Sequence, residues 1–209
     1  MIHVVLCDDH AVVRRGIRDT LSEAVDIKVT GEAGGYAELR ELLRSTPCDV
    51  LLLDLSMPGR GGLEVLTGLT ETDSPVKVLV VSMFPADQYA IRCLRAGAKG
   101  YVSKAGDPDE LIAATRTVAQ GRKYVTAEVA QMLADSVSRP TLEAPHAALS
   151  ERELQTLVKI ASGQRLSDIA DELMLSPKTV SVYRTRVMEK LGLPTNAALT
   201  VYAIRNNLI

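Results

Sequence analysis

The chain has no tryptophan and one phenylalanine, so an aromatic platform for stacking single-stranded bases is not expected. Cysteine is scarce and odd in number. Cys7, Cys48 and Cys93 cannot build a disulfide framework, and each lies in or beside an apolar run, which reads as reduced core residues of a cytoplasmic protein. No apolar run approaches the roughly 20 residues of a membrane helix, so no membrane partner is expected. The opening MIHVVLCDDH has no basic region ahead of its apolar stretch and is not read as a signal peptide. An excess of one charge sign is also missing. With 24 Lys+Arg against 26 Asp+Glu, the net charge of −2 excludes a disordered polyelectrolyte and a uniformly basic nucleic-acid coat.

What is present is an average globular composition, 46% hydrophobic and 24% charged over 209 residues, enough for one large domain or two small ones. The charge is unevenly placed. Residues 1–135 carry 15 bases and 19 acids, whereas residues 136–209 carry 9 bases and 7 acids. An acidic front and a mildly basic back imply two domains with different partners.

Along the first 120 residues two periods alternate. Short apolar runs at 2–7, 27–33, 49–55, 76–82 and 99–103 are mostly continuous, the pattern of strands buried on both faces. Amphipathic stretches at 10–24, 35–45, 61–71, 86–96 and 107–120 separate them. This alternation predicts a doubly wound, flavodoxin-like (βα)5 sheet with strand order 2-1-3-4-5. Beyond it comes a short helix capped by Thr126, then the proline-containing stretch SRPTLEAPHAAL, read as linker. From Ser150 onward the pattern is wholly helical, with helices at 150–162, 166–173, 177–191 and 196–206. The expected domains are 1–121, a connecting segment with a short helix at 122–147, and a small all-α domain at 148–209.

The polar residues of the front domain gather at one edge. Asp8 and Asp9 follow strand 1, Asp54 ends strand 3, Ser82 ends strand 4 and Lys104 follows strand 5. In the predicted strand order the winding reverses between strands 1 and 3, and ligands bind there, outside the carboxyl ends. Three converging carboxylates repel one another unless a cation sits among them. Hard oxygen ligands suit Mg²⁺. A hydroxyl, an ammonium, a divalent cation and a carboxylate are what phosphoryl transfer to that carboxylate requires. Asp54, standing alone, is the better nucleophile, and Asp8 and Asp9 the better metal ligands. Taken singly, Asp9 or His10 could instead cap the first helix.

The motifs L-C-D-D-H, D-L-S-M-P-G-x-x-G-L-E, V-L-V-V-S and G-Y-V-S-K-A resemble the receiver domain of two-component response regulators, over residues 1 to about 120. The resemblance implies Asp54 as phosphoacceptor, and Asp8, Asp9, Asp54 and the main-chain carbonyl of Ser56 as Mg²⁺ ligands. It implies Ser82 and Lys104 as phosphate partners and Tyr101 as the aromatic that tracks phosphorylation. A sensor histidine kinase would supply the phosphoryl group.

In the tail, Ser150 and Glu153 form a capping box, and Ser176-Pro177 is a sharp helix start. Helices 166–173 and 177–191 meet across a short turn, the spacing of a helix-turn-helix. On a wheel of 100° per residue, Val180, Tyr183, Val187 and Leu191 share one face and are expected in the core. Lys178, Val182, Thr185 and Glu189 lie opposite, flanked by Ser181 and Arg186. An apolar Val182 on a polar face fits a helix in the major groove, meeting a thymine methyl, with Lys178, Arg184 and Arg186 on phosphates. The pattern L-S-E-R-E…I-A-D-E-L-M-L-S-P-K-T-V…Y-R-x-R-V-M-E-K-L-G resembles the LuxR-type helix-turn-helix. It departs at Arg165–Asp168, where the family more often has a polar Asn-Lys-Glu stretch. Together the halves resemble the NarL/FixJ class. The resemblance implies Lys178, Thr179, Ser181, Val182, Arg184, Thr185 and Arg186 as the set facing double-stranded DNA. A homodimer would read half-sites about 10 bp apart or a multiple of that, with RNA polymerase a further candidate partner.

Rival readings have sequence marks against them. An aspartyl phosphatase of the haloacid-dehalogenase type needs an Asp two residues after the nucleophile, and Ser56 stands there. A nucleotide-binding domain needs a glycine-rich turn after strand 1, and D-D-H-A-V-V-R-R lacks one. A regulator that ignores phosphorylation usually lacks an acidic or Lys position, and none is missing. The chain is therefore expected to be a regulator and not an enzyme, with self-phosphorylation and dephosphorylation at Asp54 its only chemistry.

Overall fold

The apolar runs fold as parallel strands, buried most completely at the centre of the sheet. In the computed structural model, residues 1–57, 59–72, 74–138, 145–206 and 208–209 are described. They divide into two compact units, Met1–Ser138 and Arg139–Ile209.

The first unit alternates β1 (Ile2–Cys7), α1 (Ala11–Ser22), β2 (Ile27–Ala33), α2 (Tyr36–Ser45), β3 (Val50–Leu53), α3 (Gly62–Glu71), β4 (Lys77–Ser82), α4 (Ala86–Arg95), β5 (Gly100–Ser103) and α5 (Pro108–Ala119). Its five strands are parallel in the order β2-β1-β3-β4-β5, with one register shift at Val4/Val5 against β2. On one face Val4, Leu6, Val50, Leu52, Leu79 and Val81 pack with Leu21, Ile112 and Val118 from the helices. The intervening Val5, Leu51, Leu53, Val78 and Val80 are buried too. Both faces of the central strands β1, β3 and β4 are covered, so these carry little polar alternation, whereas the edge strand β2 alternates Lys28, Thr30 and Glu32 with Ile27 and Val29. Pro108 follows the cap Asp107, whose side chain accepts from the Asp109 amide, and this starts α5 sharply.

The short helix expected after Thr126 is α6 (Ala127–Ser138), with the Thr126 hydroxyl accepting from the Val129 amide at 3.3 Å. It groups with the first unit. Most of the proline-containing stretch, 139–144, lies outside the described residues. A 3₁₀ turn at Pro145–Ala148, which the sequence pattern did not suggest, precedes the helical unit. Cys7 and Cys93 are buried as expected, but Cys48 is only half-buried, because it lies in the loop before β3.

The second unit comprises α7 (Glu151–Ala161), α8 (Leu166–Glu172), α9 (Pro177–Leu191) and α10 (Asn196–Arg205). Leu154, Leu157, Ile169, Val180, Val187, Leu199 and Ala203 are buried. Tyr183 and Leu191, expected beside Val180 and Val187, are only half-buried at the edge of that stripe. The turn between α8 and α9 places Met174 at φ 53°, in the left-handed region. Ser176 then caps α9 through its hydroxyl.

Candidate functional site

Parallel strands end their carboxyl termini on one edge, and this is what assembles the polar residues of the first unit. Asp8 and Asp9 follow β1, Asp54 follows β3, Ser82 closes β4 and Lys104 follows β5. The Lys104 ammonium lies 2.6 Å from Asp8 Oδ2 and 2.8 Å from Asp54 Oδ2. All three side chains are nearly enclosed, with 6%, 4% and 1% exposure for Lys104, Asp8 and Asp54. Burial raises the Asp54 carboxyl above the usual carboxylate range. Lys104 pulls against that rise, Asp8 adds to it, and the Ser56 amide draws it down. The same burial, with the charges of Asp8 and Asp54 alongside, pushes the Cys7 thiol up to about 12, so that sulfur stays protonated.

Asp9, with its side chain 6% exposed, faces the same cluster. Among the described residues, Asp9 Oδ2 has no hydrogen-bond or ion-pair partner, which is costly for a buried carboxylate. Asp8, Asp9, His10 and Asp54 each bring a ligand atom within 4.8 Å of the others. Buried, under-satisfied oxygens of this kind are the donor set a hard divalent cation takes. Ser56 follows in the loop after β3, half-buried.

Neither Asp9 nor His10 caps α1 in the way sequence allowed. His10 occupies the N-cap position without a side-chain cap, and its own amide donates to Asp8 Oδ1 at 2.8 Å. Arg14, one turn into α1, donates to the Asp8 carbonyl at 2.5 Å. Sequence reasoning passed over both contacts. The adjacency of His10 to the Asp pair was the available signal for the first; nothing marked the second.

Ser82 is fully buried, and its hydroxyl accepts from the Phe84 amide at 3.2 Å. Tyr101, 2% exposed, donates its hydroxyl to the Phe84 carbonyl at 2.8 Å. Desolvation keeps that phenol protonated. The Phe84 ring stacks on Tyr89 of α4 with centroids 4.6 Å apart. Ser82, Tyr101 and α4 therefore all engage one residue, Phe84.

In the second unit, Lys178, Ser181, Val182, Thr185 and Arg186 line one shallow surface hollow together with Glu189. Val182 is 44% exposed there. Two expected members stand apart. The Thr179 hydroxyl lies 2.8 Å from the capping Ser176 hydroxyl, and Arg184 Nε donates to Asn196 Oδ1 of α10 at 2.6 Å.

Comparison with known proteins agrees with both halves. Residues 4–116 match the model of the response regulator receiver domain, and residues 147–203 match the luxR family of bacterial regulatory proteins. The response regulator UvrY of Escherichia coli strain K12 is 41% identical over 209 residues, covering 100% of this chain and 96% of that protein. The response regulator GacA of Pseudomonas aeruginosa is 37% identical over 210 residues, covering 100% and 98%. RcsB from Salmonella enterica serovar Typhimurium, solved bound to the promoter rprA with the phosphomimetic BeF3⁻, aligns with a TM-score of 0.62 at 27% identity, covering 96% and 97%. With the predicted strand order, the acidic edge and the helix-turn-helix all in place, the chain belongs to the NarL/FixJ family of two-component response regulators, a receiver domain joined to a LuxR-type DNA-binding domain that regulates transcription.

Proposed function

We propose that Asp54 is the phosphoacceptor of this regulator, and that its phosphorylation controls dimerisation and sequence-specific DNA binding. The observation that carries the reading is the Lys104 ammonium held between Asp8 and Asp54, with the unpartnered Asp9 Oδ2 beside it. An Asp54 oxygen attacks the phosphorus of a phosphohistidine on a sensor kinase. The new O–P bond forms as the P–N bond breaks, and the imidazole leaves with the electron pair and takes up a proton. Lys104 favours the charged form of Asp54 against its burial and then pairs with a phosphoryl oxygen. Asp8, Asp9, Asp54 and the main-chain carbonyl of Ser56 would hold Mg²⁺, which when bound supplies positive charge to the phosphoryl oxygens. Hydrolysis of the acyl phosphate reverses the state, and no separate substrate is turned over.

The readout follows from Phe84. Phosphorylation adds roughly −1.5 to −2 charge and strong acceptor oxygens. Ser82 turns its hydroxyl to one of them and releases the Phe84 amide. Tyr101, bonded to the carbonyl of the same residue, then tracks the change towards α4. In the second unit, Lys178 and Arg186 would meet phosphates while Ser181, Val182 and Thr185 face base edges. The ties of Thr179 and Arg184 make them supports of that surface. The receiver-domain match and RcsB, solved on promoter DNA with a phosphomimetic, support pairing phosphorylation input with DNA output, and a homodimer in the cytoplasm is the expected active form. RNA polymerase is the downstream partner this reading leaves to be found.

The test is mass spectrometry and light scattering on wild type and Asp54→Asn, with and without Mg²⁺ and a small phosphodonor. Wild type alone should gain one phosphate and shift towards dimer. If both proteins dimerise and bind DNA without modification, the phosphoacceptor role of Asp54 fails.

A further inference from the structure

We propose that His10 adds a nitrogen ligand to the acidic centre and makes it a site for a borderline transition-metal dication, Zn²⁺ being the probe, as well as for Mg²⁺. The proposal rests on the reading of Asp8, Asp9 and Asp54 as a cation site. The His10 side chain is 57% exposed and serves no cap. Its Nδ1 lies 2.8 Å from Asp9 Oδ1 and 3.6 Å from Asp8 Oδ1, inside the cluster whose ligand atoms fall within 4.8 Å of one another.

A second observation makes this more than a group of acids. The Asp9 side chain is more than nine-tenths buried, and while Oδ1 faces His10, its Oδ2 has no hydrogen-bond or ion-pair partner among the described residues. The two basic groups also divide the carboxylates between them. Lys104 holds Oδ2 of Asp8 and Oδ2 of Asp54, whereas His10 faces Oδ1 of Asp8 and Oδ1 of Asp9. A cation on the His10 side would take Asp9 Oδ2, which has no partner among the described residues, and share Asp9 Oδ1 with the ring without displacing Lys104.

Ligand chemistry sets the preference. Mg²⁺ is hard, keeps its waters and gains little from imidazole. Imidazole combined with carboxylates suits Zn²⁺, Ni²⁺ and Cu²⁺. Since a purely carboxylate site would also bind Zn²⁺ more tightly than Mg²⁺, the affinity ratio alone decides nothing. What decides is how far Zn²⁺ binding depends on His10 while Mg²⁺ binding does not.

The experiment titrates full-length wild type, His10→Ala and His10→Gln with Zn²⁺ and, separately, Mg²⁺ by calorimetry above the imidazole titration range. It also follows the histidine ring ¹⁵N resonances. Zn²⁺ affinity should fall by about tenfold or more in both variants, given that losing even a group that only orients a ligand costs about 10–100-fold. Mg²⁺ affinity should hold, which also shows that the variants are folded. The His10 ring nitrogens should shift with Zn²⁺ and not with Mg²⁺, while those of His3 and His146 stay in place. Equal losses for both metals would make His10 a positioning group for Asp9 and overturn the proposal, as would Zn²⁺ binding indifferent to His10. If wild type binds Zn²⁺ through His10 but takes no Mg²⁺, the Mg²⁺ assignment fails and the His10 ligand stands.

Discussion

Asp54 sits where the backbone leaves β3, and the neighbouring chain passes unusually close. A Cβ built on Gly62 would overlap the Asp54 carbonyl oxygen and come within 2.7 Å of the Leu55 Cα, both of them backbone atoms that cannot swing aside. Gly62→Ala should therefore cost about 1–3 kcal/mol by overpacking, and should displace the peptide that carries Asp54, the proposed phosphoacceptor. Phosphorylation by a small phosphodonor should slow markedly per folded molecule. Leu79→Ala, on a buried face of β4, should lose about 2–5 kcal/mol yet leave that rate unchanged. Denaturant unfolding and phosphodonor kinetics check both, and equal rates for Gly62→Ala and wild type would sink the argument. Most of this edge was legible in the sequence, because parallel strands bring residues that follow them to one place. The His10 ring and the Arg14 bond to the Asp8 carbonyl were not. The orientation of a side chain after the strand depends on the turn, which no spacing rule supplies.

At the scale of elements, the helix-turn-helix carries one residue in a costly conformation. Met174, 58% exposed, sits at φ 53° between α8 and α9. A left-handed L-residue costs about 1–2 kcal/mol, and glycine there would give back about 0.5–1 kcal/mol in unfolded-chain entropy. Met174→Gly should thus stabilise the second unit by about 0.5–1 kcal/mol, seen as slower amide exchange in α9. A second device ties α7 to α9. Glu153 accepts from the Ser150 amide at 2.6 Å and from Lys190 at 2.7 Å. Burial alone would raise its carboxyl, but Lys190 and Ser150 outweigh it and hold it below the ordinary range. A depressed folded-state value contributes stability above the ordinary carboxylate range, and this is lost as pH falls through the folded value. Glu153→Gln should therefore cost about 1.5 kcal/mol at neutral pH, discounted for the half-open Lys190, and almost nothing in strong acid. Exchange of α7 amides against pH measures it, and a pH-independent difference would refute it. The capping box and the strands were readable because they are local or fully buried runs. The 3₁₀ turn at Pro145–Ala148 was not, because the Tyr202 hydroxyl that accepts from the His146 amide at 3.2 Å comes from far along the chain.

For the whole molecule, charge decides how DNA is held. Residues 136–209 carry 9 bases against 7 acids, so one copy offers little electrostatic attraction to a phosphate backbone. Two copies on one site would double the contacts, so on the proposed reading the assembly state sets the affinity. The salt dependence tests this quantitatively. Each neutralised phosphate contributes about −0.9 to the slope of log K against log salt. Lys178 and Arg186, exposed on the polar face of α9, are the proposed phosphate contacts. In a dimer, Lys178→Ala or Arg186→Ala removes two contacts, and the slope should become shallower by about 1.8, with affinity falling on every sequence alike. Val182→Ala should leave the slope untouched and relax preference at one base position in each half-site, because a methyl contact carries specificity and no charge. Binding isotherms of the phosphorylated protein across salt concentrations, on specific and random duplexes, separate these outcomes. A slope change of about 0.9 for Lys178→Ala would mean that one copy binds at a time, and the dimer would then owe its importance to something other than DNA contact.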